Sequence, residues 1–144
     1  MSQTGHILLI EDNPADALIT LEAIKEAGIG GEVTILHSGE EADEFFSRQG
    51  RFVEAEMPDL VLLDLNLPGK DGREILADIK KDPVLGMIPV IVLTTSAAEQ
   101  DVLCVYGLHA NCYIVKPLSY DGMLATFERI ADFWFGVVTL PSRR

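Results

Sequence analysis

A chain of 144 residues that is 48% hydrophobic can bury one real core, which excludes disorder, and is short for two separate domains. Its formal charge of -12 argues against direct binding to nucleic acid or an anionic membrane, since both need a basic surface, and points to proteins or cations as partners. No apolar run approaches the roughly 18 residues that cross a bilayer, and Met1 to Gly5 lack the basic and apolar segments of a signal, so the expected location is cytoplasmic.

His6 to Ile10 is a compact apolar strand, broken by Glu11-Asp12-Asn13-Pro14, where Asn13 can cap a helix and Pro14 fits its first position. Leu18, Leu21 and Ile24 recur at helical spacing until Gly28. Gly28-Ile29-Gly30-Gly31 then turns into a strand over residues 32–36. These glycines follow a helix and precede a strand, the reverse of the order that aims helix amides at a pyrophosphate, so they are turn residues. Ser38 and Glu41 predict a capping box for a helix burying Ala42, Phe45 and Phe46. An acidic connection of no clear period follows over residues 49–58.

Leu60 to Leu63 is a short unbroken apolar run, a strand covered on both faces, and it ends at Asp64. Asn66 leads into Pro68-Gly69, turn punctuation that takes the backbone out of the sheet. Asp71 and Glu74 open a helix carrying Ile75, Leu76 and Ile79, which ends before Asp82-Pro83. Pro89 to Thr94 is the fourth strand, and Ser96 with Glu99 predicts a capping box for a helix reaching about Leu108. Asn111 to Val115 is the fifth strand, followed by Lys116-Pro117 and a last helix from about Tyr120 to Val138. Cys104 and Cys112 fit neither a redox nor a zinc spacing and are read as buried free thiols; His6, His37 and His109 show no metal-ligand spacing.

Five strands alternating with five helices define an open parallel α/β sheet, and such sheets bind ligands beyond the carboxyl ends of their strands, where strand order reverses. Glu11 and Asp12 end the first strand, Asp64 the third, Thr94 the fourth and Lys116 the fifth, all on one edge. Converging carboxylates repel unless a cation is present, and magnesium is the natural occupant. The donors are Asp12, Asp64, a backbone carbonyl around Asn66, and Glu11 acting mainly through water. Asp64 is the expected nucleophile toward phosphorus, with Lys116 and Thr94 stabilising charge on the phosphoryl oxygens.

In this order and spacing the Glu11-Asp12 pair, Asp64 with Pro68 and Asp71-Gly72, Thr94-Thr95 and Lys116-Pro117 resemble the receiver domain of two-component response regulators, across essentially the whole chain. The resemblance implies a doubly wound, flavodoxin-like, five-stranded parallel sheet of order 2-1-3-4-5. It implies one receiver domain over 1–144, its core about 5–138, with a short tail 139–144. Asp64 would accept phosphate from a histidine kinase with Mg2+, the protein catalysing only its own phosphorylation and dephosphorylation. The Lys116-Pro117 bond would be cis. Tyr113 matches the family's switch aromatic, moving with Thr94; this reading is favoured over that of a half-buried strand tyrosine with a wet hydroxyl. Asn66 and Ser96 match positions that tune loss of the phosphate.

A narrower resemblance, to the single-domain receivers that partner bacterial and cyanobacterial phytochrome kinases, rests on five segments. They are Glu-Asp-Asn-Pro-Ala-Asp at 11–16, Asp-Leu-Asn-Leu-Pro at 64–68, Leu-Thr-Thr-Ser at 93–96, Asn-Cys-Tyr at 111–113, and the Phe-Trp-Phe end. On the last helix Met123, Leu124, Phe127, Ile130, Trp134, Val137 and Val138 form one stripe, with Phe133 and Phe135 on either side widening it beyond what one core-facing surface needs. Two readings follow: deep packing of the helix, or a homodimer through the fourth helix, fifth strand and fifth helix, with Phe133, Trp134 and Val137 in it. The second is favoured.

Three other functions compete. A haloacid-dehalogenase-type, magnesium-dependent phosphatase needs a second Asp two residues after the nucleophile, where this chain has Asn66. A flavodoxin-like electron carrier needs amides and hydroxyls in its first loop, where Glu11-Asp12 would repel a phosphate. A constitutive dimeric scaffold would leave a complete acidic pocket unused.

Overall fold

Alternate residues of each central strand face two different cores, which is why those strands are continuously apolar. In the computed structural model, which describes residues 3–141, Leu8, Ile10, Val61, Leu63, Val90 and Val92 point to one side and Ile7, Leu9, Leu60, Leu62, Ile91 and Leu93 to the other. All twelve are buried. Each such side chain stabilises the fold by about 1.5–3 kcal/mol relative to exposure.

The strands are β1 (Ile7–Ile10), β2 (Val33–Leu36), β3 (Leu60–Leu63), β4 (Val90–Thr94) and β5 (Cys112–Val115). They pair in parallel in the order β2-β1-β3-β4-β5. The expected order therefore holds. The helices are α1 (Pro14–Glu26), α2 (Gly39–Phe46), α3 (Gly72–Lys81), α4 (Glu99–Gly107) and α5 (Tyr120–Asp132). Residues of α2, α3 and α4 cover the first face, those of α1 and α5 the second. A two-residue parallel bridge pairs Gln3–Thr4 with Ile29–Gly30, inside the glycine-rich turn.

Several local expectations change. Leu18 is exposed while Ile24 is buried as expected; α1 also buries Ala17, Thr20 and Ala23, small residues that let the helix approach its neighbours closely. The last helix does not run evenly to Val138. After Asp132 it continues as a π turn over Phe133–Val137, closed by a bond from the Val138 N–H to the Phe133 carbonyl at 2.8 Å. That extra residue per turn leaves Trp134 and Phe135 against the core, and Phe133 and Val137 exposed. Gly5 lies under the Phe135 ring, where a Cβ would collide with it. Cys104 is exposed and Cys112 half-buried, so only the second thiol is sheltered, and burial pushes its pKa up.

Asn13 caps α1 through the Ala15 and Asp16 amides, and Asp71 with Glu74 forms a full capping box on α3. Ser38 caps α2, but Glu41 reaches back to the His37 N–H at 2.6 Å instead of to Ser38, so the expected box is half formed. Residues 49–58 contain a 3-10 turn, Gly50–Phe52, whose buried Phe52 packs edge-on against Phe45. Among the described residues no helix is long and apolar enough to cross a membrane. Residues 142–144 of the predicted tail, and Met1 and Ser2, lie outside the described residues.

Candidate functional site

Strand register assembles the site. Ile10 pairs with Leu63, so Glu11 and Asp64 come next on adjacent strands, and the Asp64 N–H donates to the Ile10 carbonyl at 3.1 Å. Thr94 pairs with Val115, so Lys116 follows at the same edge, its N–H on the Thr94 carbonyl at 2.7 Å. Gly72 lets α3 begin directly against this edge, because any Cβ there would strike the Asp64 carbonyl and Leu65 Cα. Among the described residues, carboxylate oxygens of Glu11, Asp12 and Asp64 lie within 4.8 Å of one another. Glu11 and Asp64 are buried while Asp12 is exposed, so the cluster opens to solvent on one side.

Asp64 is held by three donors. Lys116 Nζ reaches Oδ2 at 3.0 Å, while the Thr94 hydroxyl and the Asn66 backbone N–H each reach Oδ1 at 3.1 Å. Lys116 also ion-pairs with Glu11 and stands 3.6 Å from Asp16. Burial pushes the Glu11 carboxyl above the usual range despite that pairing. Burial alone would lower Lys116, but the hydrogen bond it donates to Glu11 and the charges of Asp64 and Glu11 outweigh it, so the ammonium keeps its proton more firmly than usual. The Glu11 carbonyl is met by His37 Nδ1 at 3.1 Å, and Glu11 Oε2 accepts from the Asn13 N–H at 3.2 Å.

The donor set consists of hard carboxylate oxygens converging from two strand ends, which fits magnesium and suits neither zinc nor copper. Chemically, the site offers a carboxylate nucleophile, Asp64, beside a fixed ammonium and a fixed hydroxyl. That is the arrangement needed to receive a group carrying several negative oxygens.

Tyr113 takes an intermediate position. It is half-buried, and its hydroxyl donates to the Ser96 carbonyl at 2.7 Å. The hydroxyl is therefore bonded to the loop that follows Thr94 rather than left to solvent. Ser96 does not form the predicted capping box with Glu99. Ala98 occupies the cap position of α4, and the Ser96 hydroxyl donates to Asp101 Oδ2 at 2.6 Å. The expected cis bond at Lys116-Pro117 is also corrected: no peptide bond among the described residues is cis, which accords with the intrinsic trans preference of such bonds.

Asp16, Arg73 and Asp101 were not singled out by sequence reasoning. Asp16 stands in the quoted 11–16 segment, but its approach to Lys116 depends on how α1 leaves β1. Arg73 bonds Asp101 across 28 positions, a pairing with no periodic trace. Of the residues expected at a dimer interface, Phe133 and Val137 are exposed, and Trp134 is half-buried with its ring edge-on to Phe133.

A doubly wound parallel sheet with two acidic strand ends, a Thr and a Lys on one edge defines a receiver. Residues 7–128 match the response regulator receiver domain family, and the chain belongs to it. Among individual proteins it is similar to response regulator Rcp1 of Synechocystis sp., with 46% identity over 136 residues that span 94% of this chain and 92% of Rcp1. The crystal structure of the Mn(2+)-bound form of Rcp1 superposes with a TM-score of 0.88 at 46% identity, covering 96% of this chain and 99% of the other. The phosphorylated cyanobacterial phytochrome response regulator RcpA gives a TM-score of 0.89 at 44% identity, covering 99% and 100%. The chain is thus a receiver closely related to phytochrome response regulators.

Proposed function

We propose that Asp64 accepts a phosphoryl group from a histidine kinase of the phytochrome type, in the cytoplasm, as a single-domain response regulator. The observation that carries this reading is the pairing of Asp64 with both Lys116 and Thr94 inside the Glu11, Asp12 and Asp64 cluster. An Asp64 carboxylate oxygen forms a bond to phosphorus, and the phosphorus to imidazole nitrogen bond of the donor breaks, its electron pair returning to the ring. Lys116 Nζ, already within bonding distance of Oδ2, donates to the incoming phosphoryl oxygens. The Thr94 hydroxyl, on the other carboxylate oxygen, follows the phosphoryl group once it is attached. Bound between Glu11, Asp12, Asp64 and the backbone at Asn66, magnesium would neutralise charge on the transferred group.

Thr94 and Tyr113 form the switch in this reading. Movement of Thr94 pulls the loop whose Ser96 carbonyl now accepts the Tyr113 hydroxyl, and so changes the face made by α4, β5 and α5. Asn66 and Ser96 tune the loss of phosphate. The output surface is a homodimer contact through Phe133, Trp134 and Val137.

The test is intact-mass analysis after incubation with acetyl phosphate and magnesium. One phosphoryl group should be gained by the wild type and none after chelation or in Asp64→Asn, which keeps the fold because amide and carboxylate have the same shape. Labelling of Asp64→Asn to the wild-type extent would overturn the assignment.

A further inference from the structure

In a parallel sheet the N–H and C=O of one residue face the same neighbouring strand, and for Glu11 that neighbour is β2. The Glu11 N–H donates to the Leu36 carbonyl at 2.9 Å, but β2 ends at Leu36 and Ser38 already caps α2. A side chain supplies the next rung: His37 Nδ1 stands 3.1 Å from the Glu11 carbonyl. A carbonyl oxygen can only accept, so this bond requires the ring proton on Nδ1. His37 is itself held, because its backbone N–H donates to Glu41 Oε1 at 2.6 Å and Glu41 pairs with Arg51 at 2.6 Å. The Glu11 carbonyl belongs to the same peptide group as the Asp12 N–H. On the far side of Asp12 the Asn13 N–H donates to Glu11 Oε2 at 3.2 Å, and the Asn13 side chain caps α1. Asp12, the exposed member of the Glu11, Asp12 and Asp64 cluster, is thus placed between two held peptide groups.

We infer that His37 is a positioning residue for a divalent cation: its hydrogen bond fixes the peptide between Glu11 and Asp12, and so keeps the Asp12 carboxylate where it shares one ion with Glu11 and Asp64. The inference rests on the phosphoacceptor reading, which puts magnesium at this cluster, and deepens it by assigning a residue that prepares the site. Lys116 holds the Glu11 and Asp64 side chains by ion pairs. The Asp12 side chain is exposed, so its approach is set by its backbone. A peptide free to rock would let that carboxylate swing into water, away from its like-charged neighbours, and an ion would have to restore the order on binding. Partners standing behind a metal ligand commonly set its orientation in this way. His37 acts on the ion only through this peptide.

The test is titration of the metal-free protein with Mn2+, a paramagnetic ion that also takes oxygen donors, followed by the electron paramagnetic resonance signal of the free ion, in wild type, His37→Ala and His37→Asn. His37 is exposed, and His37→Ala removes the imidazole while keeping the backbone bond to Glu41. That variant should bind Mn2+ about three- to tenfold more weakly, the span of one hydrogen bond's net contribution. In His37→Asn the amide nitrogen takes the place of Nδ1, and binding should stay within about twofold of wild type. The magnesium concentration for half-maximal labelling by acetyl phosphate should rise in His37→Ala by the same factor as the Mn2+ constant. Binding of Mn2+ by His37→Ala at wild-type strength, or equal weakening in His37→Ala and His37→Asn, would overturn the inference while leaving the phosphoacceptor reading intact. A wild type that takes up no Mn2+ overturns the placement of the ion and this inference with it. One that binds Mn2+ yet gains no phosphoryl group overturns the phosphoacceptor reading alone.

Discussion

Lys116 holds together charges that would otherwise expel one another. Glu11 and Asp64 carry side-chain exposures of only 3% and 10%, and Lys116 itself 8%, so water screens little of their mutual repulsion. Two unit charges 4 Å apart interact by about 4 kcal/mol at the dielectric effective near a protein surface, which is a large share of a domain's net stability. Replacing Lys116 by Met leaves two buried carboxylates with no ammonium. The expected loss is about 3–5 kcal/mol in urea unfolding without metal. Magnesium should restore part of it in that variant, because a bound cation supplies the missing charge. An equal loss with and without magnesium would show that the carboxylates do not bind the ion together.

At the scale of elements, α3 and α4 are joined by side chains rather than by apolar contact alone. α4 buries only Val105 of its nine residues, so its position depends on polar ties such as Arg73 to Asp101. The hydrogen bond from Ser96, and then that from Arg73, hold the Asp101 carboxyl below the usual 3.8. Its folded pKa is thus lower than its unfolded one, so the stabilisation is complete above about pH 4 and is lost as pH falls through the folded value. Asp101→Asn, which cannot titrate, should lose less stability than wild type between about pH 5 and about pH 3, read as the change in urea midpoint. Identical acid profiles would mean that the tie contributes nothing. The loop carrying Asp64 is fixed to helices in the same manner: Lys70 bridges Asp43 of α2 and Asp78 of α3, and those hydrogen bonds keep its ammonium well above the usual range.

For the whole molecule, the question is what covers the apolar surface at the end of α5. Phe133 is 52% and Val137 74% exposed, and Leu118 and Val115 at the β5 end are exposed as well. A net charge of -12 opposes self-association, so a dimer here must draw on apolar burial and should tighten as salt screens the repulsion. Val137→Glu should shift sedimentation toward monomer while leaving the unfolding midpoint nearly unchanged, since the side chain contributes little to the core. Sedimentation of that variant like the wild type would overturn the proposed contact through Val137.

The sequence by itself determined the sheet, the helices and the reactive edge. Apolar runs ending at Glu11, Asp64, Thr94 and Lys116 imply one edge as soon as the strands are parallel, because parallel strands all end on the same side. Caps at Asn13 and Asp71 were equally legible, since a cap is a contact between residues only two or three positions apart. What tertiary structure alone decided lies between distant segments or depends on small shifts in helical phase. Leu18 faces water because α1 packs through alanines, and Phe133 and Val137 face water because a π turn changes the phase after Asp132. Ser96 turns to Asp101 rather than capping α4 because Arg73, 28 positions from Asp101, fixes that carboxylate where the serine can reach it. Such choices are made by partners that have no fixed spacing along the chain, and only the folded arrangement brings them within bonding distance.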